Sequence, residues 1–293
     1  MQALTDSLRD LHGRDDLLIM IDQEGGRVAR MQPPEWPAFP SGAAFDALYE
    51  AAPISAIEAA RANAEALGLM LAEVGVTVDA LPLLDVRRPG ANDVIGDRAY
   101  GFEPMRVAAI GRAVLEGLAS GGVTGIVKHM PGHGRVLVDS HKALPVVDAS
   151  EQELEDDLAP FRTLNWAPIG MTAHIVYTAW DDARPGTLSH YVVQRIIRER
   201  IGFDGLLMTD DIDMKALSGT PAEKACAAVD AGVDLVLDCW ARMDEMVAIA
   251  NALPDAGLRT RERLDTAMAF RKAPQPDRFA ELVTKRDELL AVT

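Results

Sequence analysis

The stretch GIVKHMPGHGRVLVDSH at residues 125–141 joins a short apolar run to a loop rich in glycine and ionisable side chains. The run at 125–127 predicts a buried strand, and Pro131, Gly132 and Gly134 forbid a regular helix directly after it. Three of the six histidines of the chain stand in this stretch. A strand that leads titratable side chains into a loop is typical of a functional site rather than of a packed core.

Short apolar runs of the same kind recur along the chain and alternate with helical patterns, which indicates parallel βα units. We predict strands at 17–21, 76–84, 125–127, 169–173, 205–208 and 234–237. We predict helices at 4–11 and near 54–73, 103–119, 151–165, 190–200, 221–231 and 241–252. Ser150 with Glu153, and Thr220 with Glu223, have the spacing of capping boxes that begin two of these helices.

An ionisable side chain follows each predicted strand. In chain order these are Asp22, Asp85, Lys128 with His129, His174, Asp210 with Asp211, and Asp238. Because parallel strands end on one face, the pattern predicts a (β/α)8 TIM-type barrel with a site on its C-terminal rim. A doubly wound sheet is less favoured, since Gly25-Gly26 does not form its glycine-rich phosphate turn. Without a linker, residues 1–293 are expected to form a single catalytic domain.

The composition restricts the classes of partner. A formal net charge of −16 and a pI near 4.8 argue against nucleic acid and against an anionic membrane surface. Two cysteines are too few for a disulfide framework and fit a reducing compartment. The polar first residues do not resemble a secretory signal, and no apolar run is long enough to span a bilayer. We therefore expect a cytoplasmic protein that acts on a small molecule.

Glycoside hydrolysis fits these residues because it needs a carboxylate and a proton donor on either side of one bond. Asp210 directly follows the apolar run 205–208 and is suited to be the nucleophile. His141 is the candidate proton donor, with Asp139 as the carboxylate that orients and stabilises its imidazole.

The same residues are also compatible with three other functions. Lys128 at a strand end suits a Schiff-base lyase. A metal site would use His129, His133, His141 and Asp139, although Pro131-Gly132 breaks the helical spacing of ligands and no cysteine joins the group. A non-catalytic sugar-binding module would need the polar contacts but not the nucleophile and proton donor.

Four segments of the chain resemble one known family. KHMPGHG followed by DSH, together with IDQEGGRVAR, IGDRAYG and GFDGLLMTDDIDM, is similar to the marked segments of family 3 β-N-acetylhexosaminidases of the bacterial cell-wall-recycling type. The segments occur in the family's order and extend from about residue 17 to residue 240. The resemblance thus covers most of the chain.

This resemblance implies a TIM-barrel enzyme that removes terminal β-linked N-acetylglucosamine with retention of configuration, without a metal or other cofactor. It assigns the nucleophile to Asp210 and the acid/base to His141, with Asp139 as its partner. The residues that match the family's sugar-binding positions are Asp22, Arg30, Arg98, Lys128 and His129. His174, at the end of a predicted strand, is expected to line the rim and to orient Asp210 or the substrate.

The resemblance also points to N-acetylglucosaminyl-anhydromuramyl peptides as substrates, and we expect a monomer. An N-acetyl-β-glucosaminide phosphorylase is the alternative, because a histidine acid/base leaves one fewer anion near the site. The chain departs from the family in two places. One βα unit ahead of the DQEGGR strand is expected to be missing, and Ile212-Asp213 replaces a Leu-Ser pair.

Overall fold

A computed structural model describes residues 1–13, 17–138 and 143–292. The described residues form two compact units, each assembled from separate stretches of the chain. The first unit comprises Met1–Leu84, Asp97–Val127 and Asp265–Thr293, and the second comprises Asp85–Gly96 and Lys128–Leu264. The single catalytic domain expected from the sequence stays a prediction.

The first unit pairs three strands in parallel. Strand β1 (Met20–Ile21) pairs with β4 (Val78–Asp79), and β4 pairs with the start of β5 (Thr124–Met130). A two-stranded antiparallel hairpin, β2 (Gln23–Gly25) with β3 (Val28–Ala29), follows β1 directly. The helices of this unit are α1 (Gln2–His12), α2 (Gly42–Ala51), α3 (Pro53–Glu73), α4 (Pro104–Ser120) and α9 (Phe279–Leu290).

Small residues let α3 and α4 pack closely beside this sheet. The buried face of α3 is rich in alanine, as at Ala56, Ala59 and Ala60. A Cβ at Gly121, which caps α4, would lie 2.6 Å from the Glu65 carbonyl oxygen. Only glycine permits this approach of two backbones, so the helix ends where the neighbouring helix passes it.

The second unit contains the end of β5, where the Ala173 N–H donates to the Met130 carbonyl at 2.7 Å. Strand β7 (Ile169–Thr172) pairs in parallel with β9 (Leu206–Asp211), and β9 pairs in parallel with β10 (Leu235–Leu237). A separate parallel pair consists of β6 (Val146–Val147) and β8 (Val176–Tyr177). The helices here are α5 (Glu151–Thr163), a π-helix (Val192–Ile201), α6 (Pro221–Ala231) and α7 (Met243–Ala252), and α8 (Leu258–Ala269) begins in this unit.

The predicted elements are all present, with different bounds for several strands. Strand β4 is only Val78–Asp79, and β5 is longer than predicted because its polar residues continue the ladder to Met130. The segment predicted as a helix at 190–200 is a π-helix. Both capping boxes are confirmed: the Glu153 N–H donates to Ser150 Oγ, and the Glu223 N–H donates to Thr220 Oγ1. Helices α2, α8 and α9 were not predicted.

Two further expectations concern the N-terminus and membranes. The short helix predicted at 4–11 is α1, and β1 is the first strand among the described residues. In the described part of the chain, none of the helices combines the length and the apolar character that crossing a bilayer requires.

Candidate active site

Asp210 stands at the end of β9 in the second unit, after four buried residues that fix its position. Its side chain is 22% exposed, and its Oδ1 accepts a hydrogen bond from the Asp211 N–H at 2.8 Å. One carboxylate oxygen is therefore held by the backbone of the next residue, and the other, Oδ2, lies nearest to His129. A strand end with a rigid, partly exposed carboxylate is a suitable place for a nucleophile.

His129 lies beside this carboxylate. Its Nε2 is 3.9 Å from Asp210 Oδ2, and its Nδ1 is 2.7 Å from Asp85 Oδ2. Because a carboxylate only accepts hydrogen bonds, Nδ1 carries the proton, and Asp85 thereby fixes which ring nitrogen faces Asp210. The structure thus brings together two residues that the sequence predicted for the site.

Asp85 binds the loop after β5 as well as the imidazole. Its Oδ1 accepts from the backbone N–H groups of His129, at 3.1 Å, and His133, at 2.7 Å. The side chain is fully buried, and burial alone would raise its pKa. The adjacent imidazoles of His129 and His133, with these hydrogen bonds, instead lower the pKa of Asp85 to about 2.

Glycine allows the loop to lie against the segment that carries Asp85. A Cβ at Gly134 would lie 1.8 Å from the Val86 carbonyl oxygen, a distance no side chain can occupy. The Tyr177 hydroxyl donates to the Gly132 carbonyl at 3.0 Å and holds the preceding turn. The glycines singled out in the sequence thus serve close backbone packing at the base of the loop.

The charge state of Asp210 follows from its neighbours. Burial would raise the pKa of Asp210, but the imidazoles of His129 and His174 lower it. The Asp211 N–H and the Lys128 ammonium act in the same direction, and the resulting pKa is about 2. Asp210 is consequently an anion throughout the neutral pH range, the form that a carboxylate nucleophile requires.

His174 is a buried histidine whose ring nitrogens both have partners within the protein. Its Nε2 is 3.0 Å from the Asp211 carbonyl, which makes this nitrogen the donor, and its Nδ1 is 2.7 Å from Thr187 Oγ1. Burial lowers the pKa of His174 and favours its neutral form. His174 thus contacts the residue after Asp210, and its role in orienting Asp210 or the substrate stays a prediction. Direct contact with substrate stays a prediction.

Lys128 and His133 complete the buried part of this cluster. Lys128 is 2% exposed and contributes to the anionic state of Asp210. The His133 ring lies 5.4 Å from the His129 ring, centroid to centroid, and burial, followed by the neighbouring His129, lowers its pKa to about 4. His133 is thus neutral at pH 7, and its uncharged ring lies beside the ring of His129.

Three predicted sugar-binding residues belong to the first unit. The Arg98 guanidinium donates twice to the buried Glu24 carboxylate, with both distances at 2.8 Å. Arg30 Nη2 lies 3.1 Å from Asp22 Oδ2 in a pair that is largely exposed. These pairs hold the guanidinium groups in defined orientations. The assignment of Asp22, Arg30 and Arg98 to sugar binding stays a prediction.

Two predicted catalytic residues, His141 and Asp139, lie outside the described residues. They were also half of the proposed metal ligands. Among residues 1–13, 17–138 and 143–292, no three His, Cys, Asp or Glu side chains are arranged to hold a metal ion. The acid/base assignment rests on the sequence alone.

Comparison with known proteins identifies the family. Residues 3–270 match the model of the Glycosyl hydrolase family 3 N terminal domain. The chain belongs to glycosyl hydrolase family 3. Membership confirms the resemblance of the four motif segments and the predicted glycoside hydrolase class.

Relatives of this family 3 chain include named enzymes. It is 37% identical over 264 residues to a beta-hexosaminidase of Alkalilimnicola ehrlichii, a match that covers 87% of this chain and 73% of that protein. It is 40% identical over 252 residues to a beta-hexosaminidase of Methylococcus capsulatus, a match that covers 82% of this chain and 71% of that protein.

Solved structures show the same fold. NagZ from Neisseria gonorrhoeae superimposes with a TM-score of 0.87 at 29% identity, over 99% of this family 3 chain and 86% of that chain. The same protein in complex with N-trifluoroacetyl-D-glucosamine gives a TM-score of 0.86. These likenesses confirm the predicted α/β fold of the TIM-barrel type.

Sequence reasoning noted Asp85 at a strand end but gave it no role, because an aspartate there is commonly a turn former. The structure makes it testable as a positioning residue. In Asp85→Asn, the amide nitrogen would face His129 Nδ1 and force the other tautomer of the ring. We expect kcat to fall about 100-fold, since displacement of a catalytic neighbour by about 1 Å has effects of this size.

The control for Asp85→Asn is Asp157→Asn, which changes another buried carboxylate of the second unit, paired with Arg135 and Arg88. Both variants should lower the melting temperature, measured by circular dichroism. Only Asp85→Asn should alter kcat and the pH profile of kcat/KM. An unchanged kcat and profile in this variant would show that Asp85 does not position His129.

Proposed function

We propose that this chain is a retaining exo-glycosidase that removes terminal β-linked N-acetylglucosamine. The observation that carries the proposal is the Asp210 carboxylate, anionic at neutral pH and held at a strand end beside His129. The curated relatives named beta-hexosaminidase and the NagZ complex with N-trifluoroacetyl-D-glucosamine support this sugar specificity.

The chemistry proceeds in two displacements. Asp210 attacks the anomeric carbon, and the glycosidic bond breaks while His141 donates its proton to the departing oxygen. His141, now neutral, removes a proton from water. The water oxygen then displaces Asp210 from the glycosyl-enzyme intermediate, so the sugar leaves with its β configuration and both groups return to their starting states.

The remaining site residues bind and orient. His129 and Lys128 both lower the pKa of Asp210, and in this proposal they also bind sugar hydroxyls, Lys128 as a donor. Asp22, Arg30 and Arg98 provide further contacts to the sugar. Asp139 orients the His141 imidazole and stabilises it when it is protonated.

N-acetylglucosaminyl-anhydromuramyl peptides from peptidoglycan turnover are the proposed physiological substrates. Beta-hexosaminidases and NagZ among the relatives support a carbohydrate substrate of this class. Action on such fragments by a monomer in the cytoplasm completes the proposal. A binding partner other than the carbohydrate, such as nucleic acid, is not expected from the strongly acidic composition.

Product analysis separates this hydrolase from the phosphorylase alternative. An aryl N-acetyl-β-glucosaminide is incubated with the protein in buffer with and without inorganic phosphate, and the products are followed by NMR. We expect free N-acetylglucosamine in both cases, released first as the β-anomer. Formation of N-acetylglucosamine 1-phosphate would instead identify a phosphorylase, and an α-anomer would contradict the double displacement.

A further inference from the structure

An exposed tryptophan follows β10, the strand that pairs with the strand carrying Asp210. Trp240, just after β10, is 63% exposed, whereas tryptophan side chains are buried in most proteins. An exposed indole presents a flat, rigid apolar face and one polar N–H, which suits it to bind a ligand. Trp240 has no role in the chemistry described above.

Backbone contacts place Trp240 beside the end of β9. Leu237 pairs with Asp211 in the parallel ladder, and the Ile212 N–H donates to the Leu237 carbonyl at 3.0 Å. The Cys239 N–H then donates to Asp211 Oδ1 at 3.2 Å. Asp211 in turn donates its own N–H to Asp210. One peptide link and two hydrogen bonds, through Cys239 and Asp211, therefore connect the Trp240 backbone to the Asp210 carboxylate.

The chain bends at Trp240, and the residues just after it supply one contact to its ring. Ala241 has φ of 50°, in the left-handed region that a residue with a Cβ seldom adopts. The Arg242 guanidinium lies over the Trp240 ring, 5.8 Å from its centroid. Arg242 is itself paired with Asp213 at 2.8 Å and with Glu245 at 2.6 Å. Asp213, the residue that departs from the family's Leu-Ser pair, thus has a structural partner.

We propose that Trp240 forms the stacking face of a leaving-group subsite that takes a second sugar ring. This inference rests on the proposed function, since the leaving group must depart from the sugar held at Asp210. A pyranose presents an apolar face of C–H groups that a flat, rigid indole covers with little loss of conformational entropy. Because Arg242 is neutralised by two carboxylates, the platform selects a saccharide by shape rather than an anion by charge.

The test compares two substrates that differ only in the leaving group. N-acetyl-β-glucosaminyl fluoride loses one atom, too small to reach an indole, whereas N,N'-diacetylchitobiose loses a sugar. In Trp240→Ala, we expect the ratio of kcat/KM for the disaccharide to that for the fluoride to fall on the order of tenfold, mainly through KM of the disaccharide. Trp240→Phe should retain most of the native ratio.

Trp166→Ala is the matched control. Trp166 is 40% exposed and precedes β7, at the end of that strand away from its catalytic exit, so this variant should keep the native ratio. An unchanged ratio in Trp240→Ala, in a protein whose circular dichroism matches the native chain, would overturn the subsite. If the native protein cleaves neither substrate, the proposed function fails and the subsite fails with it.

Discussion

Asp210→Ala is expected to lose hydrolysis of both N-acetyl-β-glucosaminyl fluoride and aryl N-acetyl-β-glucosaminides by on the order of 10⁴-fold or more in kcat. Without the carboxylate, no covalent intermediate forms, and the positive charge that develops at the anomeric carbon has no anion beside it. Steady-state release of fluoride or of the aryl chromophore measures this loss. Asp230→Ala, an exposed carboxylate on α6 of the same unit, should retain native activity.

Azide gives the Asp210 variant a second readout. The small anion can occupy the space left by the carboxylate and attack the anomeric carbon of the glycosyl fluoride. Fluoride departs, and a single inversion yields the α-configured glycosyl azide. If the variant without azide still formed the β-sugar at a substantial rate, Asp210 would not be the nucleophile. Borohydride trapping of substrate on Lys128 would favour the Schiff-base alternative instead.

His141→Ala is expected to lower kcat/KM for N,N'-diacetylchitobiose by about 10² to 10⁴-fold, the usual contribution of a general acid. The fluoride should be affected differently, because fluoride departs without protonation. Its first displacement should survive, so the sugar accumulates on Asp210, where intact mass spectrometry would detect the added residue. Azide should then release the β-configured azide, the opposite anomer from that formed by Asp210→Ala.

Equal losses on the disaccharide and the fluoride, without an accumulated intermediate, would show that His141 is not the proton donor. The pH dependence provides an independent check. Asp210 has a pKa of about 2, so its ionisation cannot produce a loss of activity between pH 5 and 8. A decline of kcat/KM for the disaccharide in that range reports a proton donor, and it should be absent from His141→Ala acting on the fluoride.

The same carboxylates limit stability in acid. Asp85 has a folded-state pKa of about 2 against an ordinary value of 3.8. Its contribution to folding is therefore complete above the ordinary pKa and is lost as the pH falls through the folded-state value. Any activity lost near pH 3 is thus expected to accompany loss of structure rather than titration of a proton donor.

Much of the fold was predictable because its signals are local. Apolar runs of three to nine residues between helical patterns marked the strands, and the side chains of Ser150 and Thr220 marked two helix starts. Helices α2, α8 and α9 were missed because no apolar run follows them to define a βα unit. The π-helix at Val192–Ile201 differs from an α-helix by one residue in each hydrogen bond, and side-chain periodicity does not distinguish the two.

The site was predictable where a residue type is unusual for its position. A lysine and a histidine at a strand end pointed to Lys128 and His129, and the structure places His129 beside Asp210. The function of Asp85 could not be found in this way, since its partners are 44 and 48 residues away along the chain. Trp240 was missed because its exposure depends on tertiary packing, which the local sequence does not show.

Asp85 gives this enzyme a modular construction. The Asp85 carboxylate binds both the His129 imidazole and the backbone N–H of His133. The first residues of the loop, up to Gly134, therefore have a fixed position that serves as a platform. If the residues after Gly134 are exchanged for the equivalent stretch of a relative, we expect Asp210 and the His129 imidazole to keep their positions. Such chimeras would test whether the stretch that carries His141 and Asp139 supplies the proposed proton donor.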